Sequence, residues 1–172
     1  FFFLKSKGDE PSPGTDSLDS FIELCLKDSV IEATDIIEES GGYLNPPKSF
    51  AFRFMSEPAS VKIGYLCYTD DNNAKCTNQA PMLRSHVENE IKEHIKQEVY
   101  DCFGALAEEF GREGYTSEVK HGMGDFSVEI KKKLINIKII GELILTKTGG
   151  TKKYKDFEIK IQSRIYDLIT VT

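Results

Sequence analysis

The sequence predicts an α+β domain in which two long helices pack on an antiparallel β-meander. Two observations carry the helices: apolar residues recur every three or four positions over 17–40 and again from Pro81 to Phe110. A third carries the sheet: from Tyr115 onward, β-branched and aromatic residues alternate with lysine, broken by glycine-rich turns. A length of 172 residues suits one domain with a genuine core, and 40% apolar with 29% charged residues is ordinary globular composition.

Before the first helix the chain reads Phe1-Phe2-Phe3-Leu4, then Lys-Ser-Lys-Gly-Asp-Glu-Pro-Ser-Pro-Gly-Thr-Asp. Four large apolar residues followed by charge read as the end of a transmembrane helix lying mostly upstream, over residues 1–4. Residues 5–16, with two Pro and two Gly, read as a flexible linker. Residues 17–172 are then an extracytoplasmic domain whose chain continues past its last residue.

The first helix carries Leu18, Ile22, Cys25, Leu26, Val30, Ala33, Ile36 and Ile37 on one side. Ser20 with Glu23 fits a capping box, although Asp16 or Ser17 serves equally as its start. Gly41 or Gly42 supplies the left-handed stop, and Pro46-Pro47 forces an extended exit. Glu38 and Glu39 sit at the unfavourable end of the helix dipole, a conflict that the basic second half of the chain can offset. Ser49–Met55 alternates with period two, placing Phe50, Phe52 and Phe54 on one face of a strand. Residues 61–68 read as a second strand and 69–80 as a polar loop. Pro81 suits the first turn of the second helix, whose stripe includes Leu83, Val87, Ile91, His94, Ile95, Val99, Cys102, Leu106 and Phe110 before Gly111 and Gly114 stop it. Four strands follow, over 115–121, 125–131, 134–146 and 152–163. Gly122-Met123-Gly124 and Thr148-Gly149-Gly150-Thr151 are the turns, Lys131-Lys132-Lys133 is a solvated tip, and Gly141 is a bulge candidate.

Charge excludes one class of partner. Residues 1–114 carry 11 basic and 21 acidic side chains, net −10, and residues 115–172 carry 11 and 7, net +4, for −6 in all. The two parts attract each other within the molecule, and the acidic total argues against nucleic acid. Cysteine is more informative. Cys67 and Cys76 flank eight residues of polar loop, and Cys25 and Cys102 meet if the two helices pack together. The even count, these placements and the apolar start suggest two disulfides outside the cytoplasm. Four reduced thiols, two of them in the core, are the alternative, and the connectivity stays open.

Catalytic and metal signatures are missing. Asp70-Asp71-Asn72-Asn73 lacks the glycine and glutamate of a calcium loop. His86, Glu90, His94 and Glu98 line one strip of the second helix, but one helix would supply every ligand, and paired Glu and His on a helix edge explain the spacing. No Cys-x-x-Cys pair, nucleophile elbow, phosphate loop or dinucleotide fingerprint occurs, so the sequence asks for no catalytic residue, metal or cofactor. Tyr43, Phe50, Phe52 and Phe54 are the candidate interaction surface if any apolar face is open; otherwise all four are core.

The order of Cys25-Leu26, Gly41-Gly42-Tyr43, Pro46-Pro47, Cys102 and Asp156-Phe157-Glu158-Ile159 resembles uncharacterised membrane-anchored extracytoplasmic proteins of small-genome (DPANN-type) archaea. The resemblance covers roughly 21–172 and implies a pilin-like N-terminal anchor helix, an outward-facing domain and a C-terminal continuation. It supplies no catalytic residue, and the Cys67/Cys76 loop departs from its pattern. The expected function is a non-enzymatic, membrane-tethered surface or envelope domain. It would meet the membrane through its anchor and other envelope proteins or itself through its surface. An extracytoplasmic ligand-sensing domain is the alternative.

Overall fold

The computed structural model describes residues 15–55, 58–120 and 125–171. The expected membrane-helix end, all but the last two residues of the linker and the Gly122-Met123-Gly124 turn lie outside the described residues. The described chain mixes helices with antiparallel strands.

Helix α1 spans Thr15–Glu39. It starts before the expected Ser17, so Ser20 lies inside it rather than at its cap. Its apolar stripe reaches the core through Leu18, Ile22, Leu26, Val30, Ala33 and Ile37. Gly41 takes φ 74°, and the Gly42 N–H donates to the Ile37 carbonyl at 2.9 Å, which closes the helix with a Schellman turn. Helix α2 spans Leu83–Arg112. Pro81 precedes it instead of opening it. The end of α2 repeats the same device: Tyr115 N–H donates to Phe110 O, Gly114 N–H donates to Gly111 O, and Gly114 takes φ 83°. The Phe110 and Tyr115 rings meet edge-on at 5.8 Å, the apolar contact that accompanies such a cap. His94, expected on the stripe, is exposed, and Phe103, which the periodicity reading omits, is buried against Phe157.

Two small strand pairs separate these helices. Strands β1 (Ser49–Phe52) and β2 (Val61–Gly64) form one ribbon, and β3 (Cys67–Tyr68) and β4 (Thr77–Asn78) form another. The expected single strand over 61–68 is thus broken at Tyr65–Leu66, and the expected loop contains β4.

The main sheet comprises β5 (Thr116–Lys120), β6 (Phe126–Lys131), β7 (Leu134–Lys147) and β8 (Gly150–Gln162). Its topology departs from a simple meander. Strand β7 is central: β8 pairs along its length on one side, while β6 and β5 share its other side end to end. A register shift lies between Ile139 and Glu142, around Gly141. Opposite it Asp156 takes φ 55°, a conformation that Asp tolerates better than most residues. This switches the parity of β8, so Tyr154 and Phe157, three apart, both face the helices. Helix α1 lies against β8 and α2 against β5 and β6. A short third helix, α3 (Ile165–Val171), follows the sheet where the sequence showed only an apolar segment.

The sheet edge at β6 is held by α2. Arg84 donates to the Ile130 carbonyl, and Glu88 Oε1 accepts the Ile130 N–H at 2.8 Å. The two side chains also pair with each other at 3.1 Å. Together they occupy backbone groups that would otherwise template another strand. Strand β8, at the opposite side, carries Lys152, Lys153, Lys155 and Lys160, which oppose edge pairing by charge.

The sheet's outer face is a lattice of charge around buried Asn136. Glu129 pairs with Lys131 at 3.2 Å and Lys138 at 3.4 Å, and Glu158 with Lys160 at 3.5 Å. Asn136 makes no side-chain hydrogen bond among the described residues, and the strand register sets it opposite Glu129 on β6 and Lys160 on β8, beside Glu158. Lys131 and then Asn136 hold Glu129 below the ordinary glutamate value, and Asn136 and then Lys160 do so for Glu158. The folded state therefore binds fewer protons here than the unfolded chain. This contribution is complete above the ordinary value of 4.5 and is lost as pH falls through the lower folded values. Glu38 has the opposite sign: burial first, then Asp35, raises it, against Arg164. Its cost appears as pH rises through the ordinary range. Urea midpoints should show Asn136→Ala losing more stability at about pH 6.5 than at about pH 3, and Glu38→Gln gaining only at the higher pH.

Candidate interaction surface

The ribbon β1–β2 is fixed to the end of α1 by glycine. Gly64 N–H donates to the Ser40 carbonyl at 2.9 Å. A Cβ on Gly64 would lie 2.6 Å from Tyr43 Cδ2 and 3.0 Å from Pro46 Cβ. A Cβ on Gly41 would come within 3.0 Å of the Gly64 carbonyl oxygen. Two backbones and one aromatic ring thus meet where only hydrogen fits. This explains the Gly-Gly-Tyr and Pro-Pro pattern: the glycines turn the chain, Tyr43 covers Gly64, and Pro46 closes the same contact.

Tyr43 is therefore a buried anchor, 5% exposed, and not part of an open face. Its ring lies 4.5 Å from that of His86, and the next residue, Leu44, donates its N–H to Glu90 Oε2 at 2.8 Å. His86 and Glu90 serve as the seat for the 43–44 segment; they do not pair along the helix edge as expected. Tyr43 Oη and His86 Nε2 are both buried without a hydrogen-bond partner among the described residues. Burial, then the Glu90 carboxylate, raises the tyrosine's pKa.

The three phenylalanines take the other course. Phe50, Phe52 and Phe54 are 41%, 44% and 40% exposed, and Met55 beside them is fully exposed. Phe50 stands opposite Ile63 and Phe52 opposite Val61, so these four share one side of the ribbon. The Phe52 and Phe54 rings meet edge-on at 4.9 Å, and Phe50 continues through Tyr65 at 5.3 Å to Tyr68 at 5.2 Å. Strands β1 and β2 pair only with each other among the described residues, and the three rings keep about two-fifths of their surface open. Lys62, opposite Ala51, projects from the ribbon's other side.

Next to the ribbon, Cys67 and Cys76 are bonded, with Cα atoms 5.4 Å apart, and brace β3 against β4. Lys48 pairs with Asp70 at 3.1 Å and lies 4.3 Å from the centre of the Tyr68 ring. The Tyr68 hydroxyl first, then Lys48, holds Asp70 below its ordinary value. Asp70 and Asp71 thus serve turn and ion-pair roles: Asp71 Oδ1 accepts the Asn73 N–H at 2.9 Å.

The second disulfide joins the helices. Cys25 and Cys102 are bonded, their Cα atoms 6.0 Å apart, across 77 residues of chain. Glu98 completes a set whose potential ligand atoms all lie within 4.8 Å of one another. With the sulfurs bonded to each other, only the carboxylate has free ligand capacity, so the set does not fit a metal in this state.

An open depression of about 360 Å³ lies between Leu66, Ala80, Pro81, Leu83 and Ile169. Asn78 is the one polar side chain on its wall, and its Oδ1 already accepts the Ala80 N–H at 2.9 Å. No helix among the described residues is long and apolar enough to cross a membrane. No protein-family model, curated protein or solved structure matches this chain.

Proposed function

We propose that this chain is a non-enzymatic, membrane-tethered extracytoplasmic domain of two helices on a sheet, and that the aromatic face of the β1–β2 ribbon is its contact surface. The observation that carries this reading is the contrast between the ribbon and the main sheet. The main sheet is covered by helices on one face and guarded at its edges by Arg84, Glu88 and lysines. The ribbon leaves Phe50, Phe52 and Phe54 exposed in one row. An isolated two-stranded ribbon is marginal in water, and a contiguous apolar row on one marks an interaction site.

Position supports the same reading. The chain enters α1 at Thr15, and the ribbon is fixed at Ser40, the far end of a helix of about 37 Å. A tether at the first end leaves the ribbon at the opposite pole of α1, clear of the membrane surface. Two disulfides support an oxidising compartment. The depression beside β4 is open and lacks convergent polar groups, which favours contact with a protein over capture of a small ligand.

The test places a photoreactive residue at position 52 of the full-length protein in its native cells, and another at position 153 on the outer sheet face. The reading predicts discrete protein adducts from position 52 only. Equal adducts from both positions, or none from position 52, would contradict it.

A further inference from the structure

We infer that the partner of the ribbon is a second copy of this chain, joined face to face through Phe50, Phe52 and Phe54 in a weak two-fold pair. This rests on the ribbon being the contact surface and adds the identity of its occupant.

Charge is the first argument. The chain carries a net −6, so most surfaces repel their own copies. The aromatic side of the ribbon presents Phe50, Phe52, Val61 and Ile63, with the Phe54 ring against Phe52, and the charges at the Tyr68 end of the row are the paired Lys48 and Asp70. It can meet its own image without bringing like charges together, as a two-fold interface requires. Geometry is the second. Two ribbons stacked by their apolar sides make a two-layer, four-stranded sandwich, which supplies the missing layer to both at once.

Area sets the strength. Three phenylalanines at about two-fifths exposure and one exposed methionine offer on the order of 400 Å² per copy. A pair then buries on the order of 800 Å², below the roughly 1,200 Å² at which stable complexes begin. The pair is therefore weak in solution. It becomes populated when tethering to one surface raises the local concentration toward the millimolar range.

Sedimentation equilibrium of the 172-residue chain from roughly 10 μM to roughly 1 mM tests this. The expected result is a monomer–dimer equilibrium whose dissociation constant rises at least about tenfold in Phe52→Ser and in Phe54→Ser. Phe54 lies outside the β1–β2 pairing, so its variant keeps the ribbon's hydrogen bonds. A chain that stays monomeric to 1 mM (on the order of the tethered concentration) overturns the pair, as does a dimer indifferent to both substitutions. Discrete adducts to a different protein from position 52, or binding of anionic vesicles lost in Phe52→Ser, also overturn self-pairing. The first leaves the contact surface itself standing. If position 52 forms no adduct of any kind, the contact reading fails with it.

Discussion

Removing the Cys25–Cys102 bridge is expected to lower the unfolding free energy by about 3–4.5 kcal/mol, the largest effect of any pair of substitutions here. The upper figure is the loop-entropy term for a closure of 77 residues, and the range allows for residual structure in the unfolded chain. Cys102 is fully buried between the helices, so alanine also loses packing there, whereas serine would bury a hydroxyl. The Cys67–Cys76 bridge closes only 9 residues, for which the same term is about 2.6 kcal/mol. That bridge braces an exposed loop, so its loss loosens residues 67–78 more than the core. Urea denaturation of Cys25→Ala/Cys102→Ala and Cys67→Ala/Cys76→Ala, each as a double variant, separates the two. Graded reduction followed by alkylation should label Cys67 and Cys76 first, because they are exposed. Simultaneous labelling of all four thiols, or equal losses of stability, would refute this division of roles.

Gly64→Ala is the second large effect, expected to cost about 1–3 kcal/mol by overpacking. The added methyl would sit 2.6 Å from the Tyr43 ring, which also packs against His86, and 3.0 Å from Pro46, whose ring cannot rotate away. The structure can yield only by moving the ribbon off the end of α1. Loss of protection at the Gly64 amide, which donates to Ser40 O, reports that movement directly by hydrogen exchange. Amides in β7 should keep their protection. Combining Gly64→Ala with Tyr43→Ala removes the closer of the two contacts, so the two changes together should cost less than their sum. Strict additivity would show that the close approach does not hold the ribbon in place.

Tyr43 and Phe50 show what a sequence can and cannot disclose. Both are aromatic and close together in the chain, and nothing local distinguishes them. One is buried because Gly64, twenty-one residues away, leaves a slot for its ring; the other stays about two-fifths exposed on a ribbon whose two strands pair only with each other among the described residues. Openness depends on the absence of a distant neighbour, which periodicity does not encode. Helical and strand faces were legible because burial there follows a local repeat: Ile22 and Leu26, or Ile135, Ile137 and Ile139, are core by spacing alone. The end-to-end arrangement of β5 and β6 was not, since which strand pairs with which half of β7 is set by contacts distant in the chain. The parity switch at Asp156 was equally hidden, because it needs a left-handed residue that no motif announces. His86 and Glu90 were visible as a strip on α2, but their partners, Tyr43 and the Leu44 amide, come from another element. The conflict at Glu38 arises from burial first and Asp35 second, and Arg164, from the basic second half, partly offsets it.

The central claim is that the exposed phenylalanine row is covered when the protein is at work. Hydroxyl-radical footprinting of the full-length protein in its native cells and of the isolated 172-residue chain measures this directly. The account predicts strong oxidation of Phe52, Phe54 and Met55 in the isolated chain and marked protection in the cells. Tyr100, exposed on α2, should be labelled equally in both and serves as the internal control. Equal labelling of Phe52, Phe54 and Met55 in the two preparations would contradict the account.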